Sequence, residues 1–493
     1  MRVVKQQQSC FGQVAIADIQ FNARSRDDVP AVLKGLQYIY VTEAVREKVF
    51  ALLENSLSHK VKHDTGRPGM EQWQIFVLAS LKLATNCDFD RLQEFANSHL
   101  ELRQMLGLSG WEDPKKFAMQ TLIDNVTLLD PKVLADINQV VVESGHELLK
   151  KKLSEPLLAR CDSFVVETDV HYPTDTNLLW DAMRCLIILV GRASEKHGIA
   201  GWRQHQFNAD QLRGKLRAVQ NIRRSHSQDE SKKKRALARV HQCVRDYLSA
   251  AQQHVDKSKQ TREALLQHGD VITVVQMDRL IAHAERQMNQ IERRLLKGET
   301  IPHVEKVFSI FEEHTEWISK GKAGVPVELG VRVCVLEDQY QFVLHHRIMW
   351  KETDDKVAVA MIEDTQKRYP ALSQCSFDKG FYTPANREQL DQLLKTNVLP
   401  KKGRLNVVDQ ARETSEEFTA ARRQHSAVES CINNLEVRGL DRCLSYGRDG
   451  FERHVALSVV ACNLHRIGLV LQRNERERLM KEKRRHEKQK LAA

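Results

Sequence analysis

Three acids far apart in the chain, Asp169, Asp378 and Glu429, each stand where an element would end or turn toward solvent. Asp169 follows Phe164-Val165-Val166, a β-branched and aromatic run that reads as a short buried strand delivering carboxylates at its carboxyl end. Asp378 closes the short strand Cys375-Ser376-Phe377, ahead of a turn containing Gly380. Glu429 lies on a helix beginning near Glu416, where Val428, Ile432 and Leu435 share an apolar face and Arg422, His425 and Glu429 recur on a neighbouring one. Three carboxylates brought together repel unless a cation sits between them. Magnesium or manganese fits, because these hard ions take carboxylate oxygens and keep positions open for water and phosphate. Two such ions roughly 3.5 to 4 Å apart activate an attacking oxygen and stabilise a leaving one in phosphoryl displacement. For the first acid alone a second reading stands, in which Glu167 and Asp169 share the solvent face of a half-buried strand. Asp175, between Pro173-Thr174 and the apolar run from Leu178, reads as a helix N-cap rather than a ligand.

The elements that must position these acids follow in a definite order. After the Asp169 strand, residues 177–298 are almost wholly helical in character, and strand patterning resumes at 327–336 and 340–346, a hairpin around Glu337-Asp338-Gln339. A helix over 355–369, the Asp378 strand, a helix from Pro384 and a short strand at Val398-Leu399-Pro400 complete the set. Asp169 and Asp378 stand 209 positions apart. A hairpin, a helix and a strand need only about 50 to 70 residues, so the surplus at 178–300 reads as a helical insertion after the first strand. Upstream, 1–30 reads as a loosely held arm and 31–155 as a helical domain, with a break at Thr65-Gly66-Arg67-Pro68-Gly69. Helix pairs joined by tight turns, as between 70–83 and 89–95, can present a helix to a DNA major groove. Residues 471–493 form a charge-dense basic tail, solvated or disordered.

Composition narrows the partners. The chain has 493 residues, room for two to four domains, and a net charge of +10, which favours a polyanion such as nucleic acid over an acidic small molecule. The clusters Arg223-Arg224 and Lys232-Lys233-Lys234-Arg235 read as solvated helix faces. Ten scattered cysteines without a CxxC pair argue against a zinc site or disulfide framework and suit a reducing cytosol. The amino terminus lacks the apolar core of a signal peptide, and runs such as Leu186 to Val190 are too short to span a bilayer, so a cytoplasmic protein without membrane function is expected.

Several stretches carry a specific resemblance: Thr168-Asp169-Val170-His171-Tyr172-Pro173-Thr174-Asp175, Ser309-Ile310-Phe311, Lys320-Gly321-Lys322, Val327-Glu328-Leu329-Gly330, Phe377-Asp378-Lys379-Gly380, His425-Ser426-Ala427-Val428-Glu429-Ser430 and Asn463-Leu464-His465-Arg466. In their order and context the chain resembles a DDE transposase of a bacterial insertion sequence, and within that group it is most similar to the ISNCY-like members. The resemblance implies an α/β catalytic domain of RNase H-like fold over 156–470, with a mixed five-stranded sheet interrupted by the insertion at 178–300. It also implies that Asp169, Asp378 and Glu429 bind two Mg2+ or Mn2+ ions and that Arg422, His425 and Arg438 contact DNA. The expected partners are terminal inverted repeats and target DNA, engaged by a homodimer in the bacterial cytoplasm at the nucleoid. Many relatives carry Tyr, Arg, Glu and Lys around the last acid; here those places hold Arg422, His425, Glu429 and Glu436, leaving Arg438 or Arg442 to supply the last positive charge. Two alternatives remain open, an RNase H-like nuclease that cuts without joining and a catalytically silent repeat-binding protein.

Overall fold

The computed structural model describes residues 3–5, 12–57, 69–109, 113–222, 230–319 and 326–492. Gly66-Arg67-Pro68, Arg223-Arg224 and Lys320-Gly321-Lys322 lie outside the described residues. Seven helices precede the first strand: α1 (Asp28–Val41), α2 (Glu43–Leu57), α3 (Gln72–Ala84), α4 (Phe89–Ser98), α5 (Leu100–Met105), α6 (Met119–Val126) and α7 (Pro131–Leu148). Then come β1 (Leu157–Thr168), α8 (Asp175–His197), α9 (His205–Ile222), α10 (Glu230–Gln267) and α11 (Val271–Ile291). The remainder is β2 (Glu316–Ser319), β3 (Val327–Asp338), β4 (Val343–Met349), α12 (Asp354–Arg368), β5 (Leu372–Phe377), α13 (Pro384–Leu393), β6 (Thr396–Val398), α14 (Val407–Glu413), α15 (Glu416–His425), α16 (Ala427–Leu435), β7 (Arg442–Cys443) and α17 (Gly447–Ala492).

The strands form one mixed sheet in a mixed α/β chain, in the order β2-β3-β1-β5-β6, with β4 also beside β3 and β7 beside β1. β1 runs antiparallel to β3 and parallel to β5. The sheet has seven strands rather than the expected five, because β2 and β7, four and two residues long, are too short to leave a pattern in sequence. The expected hairpin is β3 and β4. Its turn is built by Asp338, fully buried, whose Oδ1 accepts the amides of Tyr340 and Phe342 at 2.9 Å each while Oδ2 meets His146 Nε2 at 2.5 Å. Gln341, at φ 68°, takes the left-handed position of that turn.

Contacts group residues 1–169 and 318–493 into one unit and 170–317 into another. The helices over 31–155 therefore do not form the separate domain expected of them. Asn138 of α7 and Asn463 of α17 share a hydrogen bond of 2.7 Å, and Asn463 also accepts from the Val343 amide and donates to its carbonyl, both at 2.9 Å. Buried backbone at the sheet edge thus finds its partners on helices from both ends of the chain. α1 and α17 cross with backbones nearly touching: a methyl group on Gly35 would strike the Leu464 carbonyl, and one on Gly468 the Ala31 carbonyl. The expected loose arm is also corrected, since Ile16 and Ile19 are buried and the Gln37 side chain donates to their carbonyls at 2.7 and 2.9 Å. At the other end, α17 stays helical to Ala492, and the charged side chains from Glu477 to Glu487 are exposed. A stretch of α17 is apolar enough by composition to cross a membrane, and 83% of it is buried inside the protein.

The second unit has its own core. Leu179, Met183, Leu186, Ile187 and Val190 of α8 pack with Trp202, Tyr247 of α10 and Met277 of α11. Trp202 Nε1 donates to Thr261 Oγ1 at 2.9 Å, so the largest ring there leaves no orphaned donor. This is the expected helical insertion with wider bounds than 178–300. Thr174, not Asp175, caps α8, accepting from the Asn177 amide at 3.2 Å. All nine described cysteines are free.

Candidate active site

Alternation builds the site's central strand. In β1 the side chains of Leu157, Ala159 and Cys161 turn inward, while Leu158, Arg160 and Asp162 lie half-buried on the other face. The parallel pairing of β1 with β5 ends at Cys161 opposite Phe377. Asp162 and Asp378 are therefore the next residues on adjacent strands, at the point where β5 ends and its pairing with β1 stops. Asp378 also precedes a short 3-10 turn, Lys379–Phe381, which carries the chain away from the sheet.

Glu429 reaches the same place from the first turn of α16, whose Val428, Cys431 and Leu435 are buried and which packs on β1. A fourth acid arrives on Asp354, the first residue of α12, whose Oδ1 accepts the Ser163 hydroxyl at 2.5 Å. Gly380 packs close to the same carboxylate, and a Cβ there would stand 2.9 Å from Asp354 Oδ2. Burial pushes the Asp162 carboxyl up to about 6, opposed by the Ser163 amide and reinforced by the negative charges of Asp378, Asp354 and Glu429. Asp162 thus feels the charges of the other three acids.

The structure brings Asp378 and Glu429 together with Asp162, not with Asp169. Asp169 lies just beyond the end of β1, seven residues and so about 23 Å further along an extended strand. There its Oδ1 accepts Arg442 Nη2 at 2.5 Å, in an exposed pair beside β7. The sequence reading began the strand at Phe164 and so took the acid after its end. The polar residues Arg160 and Asp162 hide the first half of β1, yet Leu157, Ala159 and Cys161 alternate with them in the manner of a half-buried strand.

The three expected DNA contacts have other employment. Arg422 donates from Nη1 to the Phe377 carbonyl at 2.5 Å and from Nη2 to Asp378 Oδ1 at 3.2 Å, fixing the end of β5. His425 is buried with Nδ1 3.0 Å from Ser376 Oγ, and burial beside Arg422 lowers it to about 4, which leaves it neutral. Arg438 is buried, bonded to Asn434, 3.0 Å from Asp28 Oδ1 and in contact with His465. It ties the start of α1 to α17. Neither His425 nor Arg438 is placed to meet a phosphate.

Among the described residues no three His, Cys, Asp or Glu side chains stand close enough to hold a metal ion together. Asp162, Asp354 and Asp378 are instead engaged with the Ser163 amide, the Ser163 hydroxyl and Arg422 respectively. The side chains there offer carboxylate oxygens, the donor type that Mg2+ and Mn2+ take. The chain matches no family model, no curated protein and no solved structure.

Proposed function

We propose that the chain is a DNA transposase of RNase H-like fold, with Asp162, Asp378 and Glu429 as its catalytic carboxylates. The observation that carries the reading is the meeting of Asp162, in mid-strand on β1, with Asp378 at the end of the parallel neighbour β5, within the electrostatic reach of Glu429. The order of the central strands, β1, hairpin, β5 and β6 with helices between, supports the RNase H-like part. The excess of positive charge supports DNA as the substrate.

Asp162, Asp378 and Glu429 would hold two divalent cations, Mg2+ or Mn2+, which when bound supply activation of the attacking oxygen and stabilisation of the leaving one. The protein's own groups keep the carboxylates in place. Arg422 clamps the backbone and side chain at Asp378, and Ser163 links the strand position after Asp162 to Asp354 on α12. On this reading the enzyme hydrolyses strands at its element's terminal repeats and directs the freed 3′-hydroxyl at target DNA, as a dimer because two ends must be handled together.

The test is a reaction of the full chain with linear DNA carrying the flanking repeats and a supercoiled target, with magnesium or with chelator. Magnesium-dependent nicking at the repeat ends and covalent joining are expected, with cutting abolished in Asp162→Asn and retained in Asp169→Asn. The opposite pattern in the two variants would return the first carboxylate to Asp169. Cutting without joining would make the protein a nuclease, and repeat binding without cutting a silent DNA-binding protein.

A further inference from the structure

Arg160 of β1 stands opposite Glu337 of β3 in the sheet register, and Arg160 Nη2 lies 2.9 Å from Glu337 Oε2. Both side chains are nearly enclosed, 13% and 6% exposed. The pair is poorly made for stability. Among the described residues neither Glu337 Oε2 nor Arg160 Nε has a hydrogen bond, and burial pushes the Glu337 carboxyl up to about 7 even with the guanidinium beside it. A buried ion pair with unsatisfied atoms does not offset its own desolvation, and well-packed apolar residues of similar volume often serve stability equally well or better. Its value here lies elsewhere.

What the pair touches is the stretch that carries Glu429. Arg160 Nη2 also donates to the Asp338 carbonyl at 2.8 Å, which fixes the guanidinium on the hairpin. Nη1 makes a longer bond, 3.4 Å, to the Gln424 carbonyl in the last turn of α15. Carbonyls at a helix C-terminus carry partial negative charge and attract cations. Glu337 reaches the next helix. Its carboxylate accepts from the Cys431 thiol of α16, and burial holds that thiol well above the usual range, so it keeps its proton. α15 ends and α16 begins at Ser426. The two grips thus fall on either side of the break, at Gln424 and at Cys431, with Glu429 between them. On the strand, Asp162 follows Arg160 by two positions and shares its face.

We infer that Arg160 and Glu337 are positioning residues that together seat the α15–α16 break on the sheet and so set Glu429 against Asp162, which rests on the carboxylate assignment proposed above. β1 then carries both the first acid and the anchor of the third. β3 contributes through Glu337 without supplying an acid to the site. Arg422 holds Asp378 from the same α15, so one short helix is tied to the sheet at both of its functional neighbours. A guanidinium suits the task, because its fixed fork meets a hairpin carbonyl, a carboxylate and a helix end at once, whereas a lysine ammonium is a single point charge. Both residues act through Glu429 and take no part in the chemistry.

The test is made on the full chain with two readouts, one of which needs no activity. Amide hydrogen exchange is followed by mass spectrometry in peptides covering α16, with α7 as internal reference, and cleavage of repeat-ended DNA is titrated with magnesium. Arg160→Met combined with Glu337→Leu removes both charges and leaves neither buried alone. In that double variant α16 should exchange at least about tenfold faster, while α7 exchange is unchanged and the melting temperature matches or exceeds the parent's. The magnesium concentration at half-maximal cutting should rise about 10- to 100-fold, the range for groups that orient metal ligands, with the KM for DNA unchanged. Cys431→Ala should loosen α16 in the same way, and Cys431→Ser, which restores a donor to Glu337, should recover it. If the double variant does not fold, Arg160→Lys and the two Cys431 variants decide by the same readouts. Parent-like exchange of α16 in a folded variant overturns the inference, as does faster exchange spread evenly over α16 and α7, the mark of a merely structural pair. A loosened α16 with an unshifted magnesium requirement overturns the role at Glu429. A parent that never cuts DNA refutes the transposase reading and leaves the exchange measurement standing.

Discussion

At Asp162, burial and neighbouring acids disfavour the charged carboxylate. Its carboxyl titrates at about 6 in the folded protein against 3.8 for the ordinary group, because burial and neighbouring acids oppose its ionisation. The folded state therefore holds a proton between those values that the unfolded chain has released, and stability falls as pH rises through that window and stays lower above it. Asp162→Asn escapes this loss, so at pH 7 its urea midpoint should rise above the parent's while cutting disappears. A midpoint that falls would show that the carboxylate is not held under electrostatic strain. Asp354 acts one step further out. It fastens Ser163, next to Asp162, and packs against Gly380, two residues after Asp378. Asp354→Asn keeps the shape and weakens the charge-assisted bond, so magnesium-dependent cleavage should drop by about 10- to 100-fold, the usual range for groups that orient metal ligands. A shift in the magnesium concentration needed for half-maximal cleavage separates this orienting role from general loss of fold.

At the scale of elements, the crossing of α1 and α17 brings helices from the two ends of the chain into backbone contact. Gly35 and Gly468 allow the two backbones to touch, and no side chain fits at either point. Gly468→Val must push the helices apart and should lower stability by about 1 to 3 kcal/mol, seen as a lower denaturation midpoint with an unchanged slope. Arg438 supports the same region from inside, linking Asp28 at the start of α1 with His465 of α17. Arg438→Ala removes one of the two partners of Asp28, which His465 still meets at 2.8 Å, and should cost about 1 to 3 kcal/mol. It should leave the salt dependence of DNA binding unchanged, whereas removal of a phosphate contact would reduce that slope by about one. The element boundaries also explain which sites were legible. Hairpin, α12 and β5 follow from apolar periodicity and turn residues and stand within a few positions of expectation, whereas the single helix expected from Glu416 through Glu429 is broken at Ser426 into α15 and α16. Nor does β1 stand where expected, because its first half alternates with Arg160 and Asp162 and so lacks the continuous apolar run that marks a buried strand.

Across the whole molecule, burial of titratable groups sets the acid limit. Burial lowers His425 and His454 to about 4 each, and His454 Nε2 donates to the Gly439 carbonyl at 2.6 Å. Both are neutral in the folded protein at pH 7 and charge more readily when unfolded, with an ordinary pKa near 6.5. Their contribution to stability is fully present above pH 6.5 and is lost as pH falls toward 4, at roughly 1.4 kcal/mol per unit for each ring. Urea midpoints should decline over that interval, and His454→Gln should flatten the decline. Rising stability on acidification through the same window would contradict neutral burial.

By itself the sequence determined the chemistry available: acids spaced through an alternating strand and helix order, a basic surplus suited to a polyanion, and a long helical insertion between the first strand and the hairpin. Those are properties of composition and local periodicity, which act over one or two turns or strand positions. Which of Asp162, Glu167 and Asp169 faces Asp378 is not local. It is decided by the register of β1 on β5, where Cys161 meets Phe377, and a strand of twelve residues offers carboxylates to several places along the sheet. The same holds for Arg438 and His425, whose charged or polar types suggest phosphate contacts until packing encloses them.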